Sequence, residues 1–196
     1  MWLWGNVCPD FIRWAPLKVK KTYSKPSIQN VINEYDYKMT WSDDKIKVGF
    51  HHAHPFDNAP SITEAFNGSE GYAQLIQQGS PALGYKNAFS KYFSSTVVTP
   101  NYIYAITIKN ESKWKELSAN LNKLQAQSEE LFLKLREANR TWNTEEIQER
   151  AFLDLIGEAV NLYRVNVPTI WDEFGFLEYK NIEIGSNGRP KFRDCK

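Results

Sequence analysis

A heptad seam between residues 114 and 142 constrains the fold of this chain more than any other feature. Its nine positions are separated alternately by three and four residues, and all but one are apolar. The positions are Trp114, Leu117, Leu121, Leu124, Ser128, Leu131, Leu135, Ala138 and Trp142. This spacing places one side chain per turn on the same face of an α-helix. The seam therefore predicts one helix of about 30 residues, about 45 Å long.

A second helix is predicted directly after the seam. Asn143 or Thr144 provides an N-cap, and Glu145 and Glu146 provide the negative charge that favours a first helical turn. The apolar stripe of this helix is Ile147, Ala151, Leu155 and Leu162. Two helices joined by a short loop pack side by side in opposite directions. We therefore expect a long antiparallel helical hairpin at about residues 111–164, as an insertion into or extension of an α/β core.

The seam has two possible uses. Packing against the second helix would bury it within the chain. An exposed seam would instead bind a partner helix or a second copy of the chain. The helix from Trp114 to Trp142 is therefore also a candidate surface for a protein partner or for self-association.

Five strands are predicted on both sides of the helical hairpin, from alternation of apolar and polar residues at 35–41, 45–50 and 176–184 and from β-branched and aromatic residues at 102–108. The predicted strands are 35–41, 45–50, 93–99, 102–108 and 176–184. The first two and the next two are expected to pair as hairpins. A helical pattern begins at Glu64 and is interrupted by Gly68. The chain is predicted to be a single α/β domain, residues 1–196, whose core at about 30–110 is completed by the strand at 176–184.

Charge and hydropathy exclude several classes of partner. The chain has 24 basic and 23 acidic residues, a formal net charge of +1, so bulk electrostatics favour neither nucleic acid nor an acidic surface. No apolar run approaches the ~20 residues of a membrane span, and the first residues lack the pattern of a signal peptide. We expect a protein that is cytoplasmic, exported by a non-classical route or cut from a larger polypeptide. Cys8 and Cys195 either pair or remain thiols in a reducing compartment.

All three histidines of the chain fall between positions 51 and 54. His52 and His54 project to the same side of an extended chain, so their ring nitrogens can bind one metal ion. His51 is expected to point to the other face. A catalytic zinc site uses three protein ligands and a water molecule. Glu64, ten residues after His54, begins a predicted helix from which its carboxylate can face the histidines.

Hydrolysis at such a metal needs two further groups. The metal makes a water molecule nucleophilic at neutral pH, a general base takes a proton from that water, and a donor stabilises the tetrahedral oxyanion. Ser61, three residues before Glu64, is the candidate donor. Glu34, at the entrance of the first predicted hairpin, is the candidate base, and Asp36 is its competitor.

The segment His52-Ala53-His54-Pro55, followed by Ser61 and then Glu64, resembles the JAMM (also called JAB or MPN-plus) metalloprotease motif. That motif consists of an upstream Glu, His-x-His-Pro, a short loop and Ser-x-x-Asp. The strand that leads into the histidines is similar to the family's usual approach. Residues 97–104 resemble the hairpin that follows the motif helix in bacterial JAB-like domains of polymorphic toxins. The resemblance covers about residues 30–110.

The resemblance implies a zinc-dependent hydrolase of amide or isopeptide bonds with a JAB/MPN-like central mixed sheet and flanking helices. By that resemblance, His52, His54 and Glu64 would bind Zn²⁺. Ser61 would stabilise the oxyanion, and Glu34 would polarise the attacking water. The substrate would be a protein or peptide, with ubiquitin-like conjugates among the candidates. The chain would then be a bacterial toxin or effector module.

The chain departs from the family pattern at Glu64, where the family has Asp, and in the short loop from Phe56 to Pro60.

Three other interpretations stay open. A degenerate site would leave a catalytically inactive JAB-like binding or scaffold module, and a surface loop of histidines would bind no metal. The third is an ADP-ribosyltransferase-like toxin. Its candidate residues would be Arg13, Ser94, Ser95, Thr96 and either Gln148 or Glu149.

Overall fold

The structure, a computed structural model, describes residues 49–69, 72–73, 89–167 and 179–193. In this part of the chain six strands form one sheet whose spatial order follows the chain order. They are β1 (Gly49–Ala53), β2 (Ser94–Val98), β3 (Tyr102–Ile108), β4 (Val160–Asn166), β5 (Lys180–Ile184) and β6 (Pro190–Arg193). β1 and β2 run parallel, and each later pair of neighbours is antiparallel. The prediction of an α/β fold with a central mixed sheet is confirmed at this level.

Helices lie in two of the connections between strands, as far as the structure describes them. The main ones are α1 (Ile62–Ala65), α2 (Glu111–Ser118), α3 (Leu121–Ala138) and α4 (Thr144–Ile156). α1 lies between the parallel strands β1 and β2, and the other three lie between the antiparallel neighbours β3 and β4. The second connection returns to its starting point, because the N–H groups of Lys109 and Asn110 donate to the carbonyl of Ala159 at 2.8 and 3.0 Å. Among the described residues, no helix is both long and apolar enough to cross a membrane.

The prediction of a single helix over the heptad seam is wrong, because α2 and α3 are separated at Ala119 and Asn120. The side-chain amide of Asn120 donates to the carbonyl of Glu116 at 3.1 Å, and its backbone N–H donates to the carbonyl of Leu117 at 2.9 Å. An asparagine side chain competes in this way for the hydrogen bonds of a helix interior. The apolar spacing continues across the break, since it records only which residues are apolar.

The second predicted helix is also shorter than its stripe indicated. α4 ends at Ile156, and Leu162 lies in β4 instead. β4 pairs with β3 along its whole length, and its β-branched and aromatic residues suit a sheet. The spacing of seven residues from Leu155 to Leu162 therefore matches two helical turns only by coincidence. α3 and α4 do pack against each other, so a helical pair exists over 121–156.

The main apolar core lies between one face of the sheet and the helices. Trp114 of α2 is fully buried in it, surrounded by the aromatic rings of Phe66, Tyr72, Phe89 and Phe93. Tyr104 of β3 faces this core, whereas its neighbour Ile103 faces a smaller cluster on the opposite side. This alternation is the normal pattern of a strand covered on both faces.

The remaining strand predictions agree with the structure in part. The predicted strand at 45–50 is described only from Gly49, and β1 continues past it to Ala53, while β6 was not predicted. β2 and β3 match their predicted bounds within a residue, and β5 lies inside the predicted strand at 176–184. Gly68 interrupts the helical pattern with a φ of +76°, and a Cβ there would come within 2.5 Å of the Phe50 ring. The first predicted strand and several candidate residues lie outside the described residues. These candidate residues are Cys8, Arg13, Glu34, Asp36 and Cys195.

Candidate metal centre

Strand β1 carries His52, and His54 follows directly after the strand. His52 lies beside Val97 of β2 in the parallel register, and the backbone N–H of His54 donates to the carbonyl of Val98 at 2.8 Å. Side chains alternate along an extended chain. Both imidazole rings therefore project to the helix-covered face, as does Phe50, which packs against the main core. His51 is exposed.

Glu64 reaches the histidines from the first turn of α1. Ser61 is the N-cap residue of this helix, and its backbone N–H donates to Glu64 Oε2 at 2.5 Å. In the other direction, the N–H of Glu64 donates to the carbonyl of Ser61 at 3.2 Å. This reciprocal capping contact fixes the direction of the carboxylate.

The side chains of His52, His54 and Glu64 converge on one point. The two Nε2 atoms are 3.0 Å apart. Glu64 Oε1 lies 2.8 Å from the Nε2 of His54 and is also hydrogen-bonded to the Nε2 of His52. All three donor atoms lie within 4.8 Å of one another. Two imidazole nitrogens and one carboxylate oxygen are a donor set that catalytic zinc uses, so these three residues fit a zinc ion by their chemistry.

The electrostatics of the site favour a bound cation. The Glu64 side chain is only 10 % exposed. Burial alone would raise its pKa, but the hydrogen bonds from His52 and His54 outweigh burial and hold that pKa at about 2. The hydrogen bond to Glu64 also raises the pKa of His54, against the effect of burial. Glu64 is therefore a carboxylate at neutral pH, the form that binds a metal.

Ser61 lies beside the three converging side chains and is itself exposed. Together with His54 it lines a cleft. Ser61 therefore borders the space that a molecule bound in the cleft would occupy. Glu34 and Asp36, the two candidate bases, lie outside the described residues.

Two polar side chains that sequence reasoning did not assign to this site hold the loop of residues 55–61. Asp57 accepts a hydrogen bond from the backbone N–H of Asn101 at 2.8 Å, which ties the loop to the turn between β2 and β3. Gln148 of α4 accepts one from the backbone N–H of Ala59 at 2.9 Å. Sequence gives little reason to assign either residue to the site. Gln148 is a polar residue among the apolar residues of α4, and Asp57 is a carboxylate in a loop.

A cleft of about 480 Å³ opens next to the candidate metal centre. One wall is the segment 58–62, with His54 at its end, and the facing wall comes from α3 and α4. The helices that the sequence suggests as an addition to the core thus border the site.

The buried carboxylate of Glu149 belongs to a different cluster. It accepts a hydrogen bond from the Tyr104 hydroxyl at 3.0 Å and pairs with Arg164 at 2.5 Å, and its side chain is 1 % exposed. Burial raises the pKa of Glu149 to about 7, although Arg164 and Tyr104 oppose the shift. Glu149 does not line the cleft. It ties α4 to the sheet, whereas an ADP-ribosyltransferase-like site would need it accessible.

The site is thus defined by how β1 and α1 present their side chains to one point. Fold alone does not assign an activity, so the chemistry must be argued from these residues. No protein-family model, no curated protein and no solved structure matched the chain.

Proposed function

We propose that this chain is a zinc-dependent hydrolase of amide or isopeptide bonds, similar to JAMM peptidases, that acts on proteins or peptides. The observation that carries the proposal is the convergence of His52, His54 and Glu64 from a strand and a helix. A surface loop of histidines would have no reason to enclose an ionised, buried carboxylate between two rings, because burying a charge is costly unless it is paired.

His52 and His54, as neutral imidazoles, and Glu64, as an anion, would hold the zinc ion. When bound, the ion would supply Lewis acidity to the scissile carbonyl and to the attacking water. Ser61, exposed in the cleft, donates its hydroxyl to the oxyanion that forms as the carbonyl is attacked. Glu34 would accept a proton from the attacking water and return it to the amine nitrogen as the C–N bond breaks, so that a carboxylic acid and an amine are released.

The same resemblance sets the biological context of the proposal. The chain would be a toxin or effector module of the bacterial JAB-like kind, and ubiquitin-like conjugates are candidate substrates. The glutamate at position 64 is compatible with this chemistry, since its carboxylate contacts both histidines.

Elemental analysis of the purified protein, followed by hydrolysis assays on linear and isopeptide-linked peptides, tests the proposal. We expect stoichiometric zinc, and hydrolysis that a chelator abolishes and added zinc restores. Glu34→Gln should keep the metal and lose hydrolysis, and retained turnover would move the base to Asp36 or elsewhere. Zinc without hydrolysis of any substrate would indicate an inactive JAB-like scaffold. Absence of metal binding would contradict the centre itself.

A further inference from the structure

The cleft beside the candidate metal centre is built from separate parts of the chain. His54 and Ser61 line it next to the metal ligands, α3 contributes Phe132 and Leu133, and α4 contributes Phe152. Its volume of about 480 Å³ falls within the range of about 300–1,000 Å³ common for ligand sites. A group bound in this cleft would lie directly beside the reacting centre.

The helical wall of the cleft has an apolar part, which is partly open to water, beside the polar Ser128, Glu129 and Gln148. Leu133 is 64 % exposed, and Phe132 next to it is half-buried. Ile62 of α1 lines the cleft as well. A leucine left in water at the mouth of a cleft gains free energy when another apolar group covers it. The wall therefore favours an apolar occupant.

The position of this wall relative to the metal ligands is fixed by hydrogen bonds. Gln125 of α3 donates to the Thr63 hydroxyl at 2.7 Å, and Thr63 directly precedes Glu64. On the other side, Gln148 of α4 holds the backbone of Ala59. The helical wall and the ligand-bearing segment are thus joined directly by two side-chain hydrogen bonds.

The charge in the cleft lining discriminates among side chains. Glu129 of α3 lines the cleft together with the neutral Gln148. A carboxylate in the wall repels an acidic side chain and tolerates a neutral one. Apolar side chains are therefore favoured over acidic ones by both packing and charge.

We propose that this cleft is the substrate subsite of the hydrolase. It receives a large apolar side chain, such as leucine or phenylalanine, next to the scissile amide of a polypeptide. The inference rests on the proposed function and adds the substrate class. Phe132 and Leu133 are then specificity-determining residues, and they lie in α3, outside the segment that carries the metal ligands.

Capped peptides that differ at a single position, with leucine, phenylalanine, serine or aspartate there, test the subsite. Binding to the metal-free protein is measured by fluorescence anisotropy, and hydrolysis by the zinc-loaded protein is measured as kcat/KM. We expect the leucine and phenylalanine peptides to exceed the serine peptide by about tenfold in both measurements, as loss of a few buried methylene groups implies. The aspartate peptide should be the weakest.

Two serine variants test whether Leu133 causes the preference for apolar side chains. Leu133→Ser should remove most of it. The matched change Ile184→Ser, at an aliphatic residue that is 39 % exposed on β5, should leave it intact. Equal binding of all four peptides, or equal effects of the two variants, would overturn the subsite. An apolar preference in binding without hydrolysis of any peptide would support the subsite and contradict the proposed function. Hydrolysis of all four peptides at equal rates would support the proposed function and contradict the subsite.

Discussion

The indole nitrogen of Trp114 donates a hydrogen bond to the backbone carbonyl of Ala65 at 2.8 Å, one residue after Glu64. α1 has only four residues, and so short a helix cannot hold its position by its own hydrogen bonds. The fully buried Trp114 therefore anchors the helix that presents the third candidate ligand. Through this contact, α2 supports the site without touching it.

Trp114→Phe should destabilise the protein and weaken zinc binding together. The substitution leaves the Ala65 carbonyl without its buried partner, at a cost of about 1–3 kcal/mol. Urea unfolding and zinc titration would measure the two effects. Trp142→Phe, at a half-buried tryptophan near the turn between α3 and α4, is the matched control. Equal zinc affinity in the two variants would show that Trp114 does not position Glu64.

His52→Ala and His54→Ala should each abolish stoichiometric zinc binding, because each removes one of three donors. His51→Ala should retain the metal, since His51 is exposed on the strand beside them. Elemental analysis of the three variants after dialysis makes the comparison. If both His52→Ala and His54→Ala keep zinc, or if His51→Ala loses it, the ligand assignment is wrong.

Glu64→Asp should weaken zinc binding, although it introduces the residue that stands at this position in the JAMM motif. The glutamate contacts both imidazoles in this fold, and the loop from Phe56 to Pro60 is short. Removing one methylene withdraws the carboxylate from a position that the capping contact with Ser61 fixes. We expect a loss of about 10–100-fold, the size found when the surroundings of metal ligands are disturbed. Competition with a chromogenic chelator would measure it, and undiminished affinity would mean that α1 shifts to compensate.

Glu149→Gln should flatten the pH dependence of stability between about pH 4.5 and 7. In the folded protein the pKa of Glu149 is raised to about 7 from 4.5, so the folded state holds the proton more tightly than the unfolded state. The free energy of unfolding therefore decreases as pH rises through this window. The decrease is at most about 3 kcal/mol for a shift of this size.

Urea unfolding of the metal-free protein across that window would reveal the difference between Glu149→Gln and the parent. Glu158→Gln, at an exposed position, is the control and should follow the parent. The glutamine keeps an oxygen to accept the Tyr104 hydroxyl, so the variant should remain folded. A parallel pH dependence in all three proteins would contradict the raised pKa.

Local patterns predicted the strands well and the helices less well. β2 and β3 agree with the strands predicted on either side of the turn at Pro100 and Asn101, the second of them from its β-branched and aromatic residues. The seam predicted the helices but not the break at Asn120, because apolar spacing carries no information on side-chain hydrogen bonds to the backbone. Leu162 was misplaced because its spacing fits a helix, whereas pairing with β3 over seven residues determines the structure there.

The candidate metal ligands could be predicted from local patterns, whereas the residues that hold them in place could not. Two histidines at alternate positions and a carboxylate at a helix start were enough to predict that His52, His54 and Glu64 could meet, and the structure brings them together. Their supports are long-range contacts without a local signature. The hydrogen bond of Trp114 joins residues 49 apart in the sequence, and that of Gln148 joins residues 89 apart. No pattern within a short window of sequence encodes such contacts.

The connection between β3 and β4 has a consequence for how such a protein could diversify. Its ends meet at Lys109 and Ala159, where two antiparallel neighbours could be joined by a simple turn. The whole of α2, α3 and α4 therefore departs from and returns to one spot on the scaffold. Changes at Leu133 can therefore alter the cleft while the donors of β1 and α1 stay unchanged. The same connection also holds the segment that carries Glu64, through Trp114 of α2 and Gln125 of α3, so only the positions that face the cleft alone are free to vary.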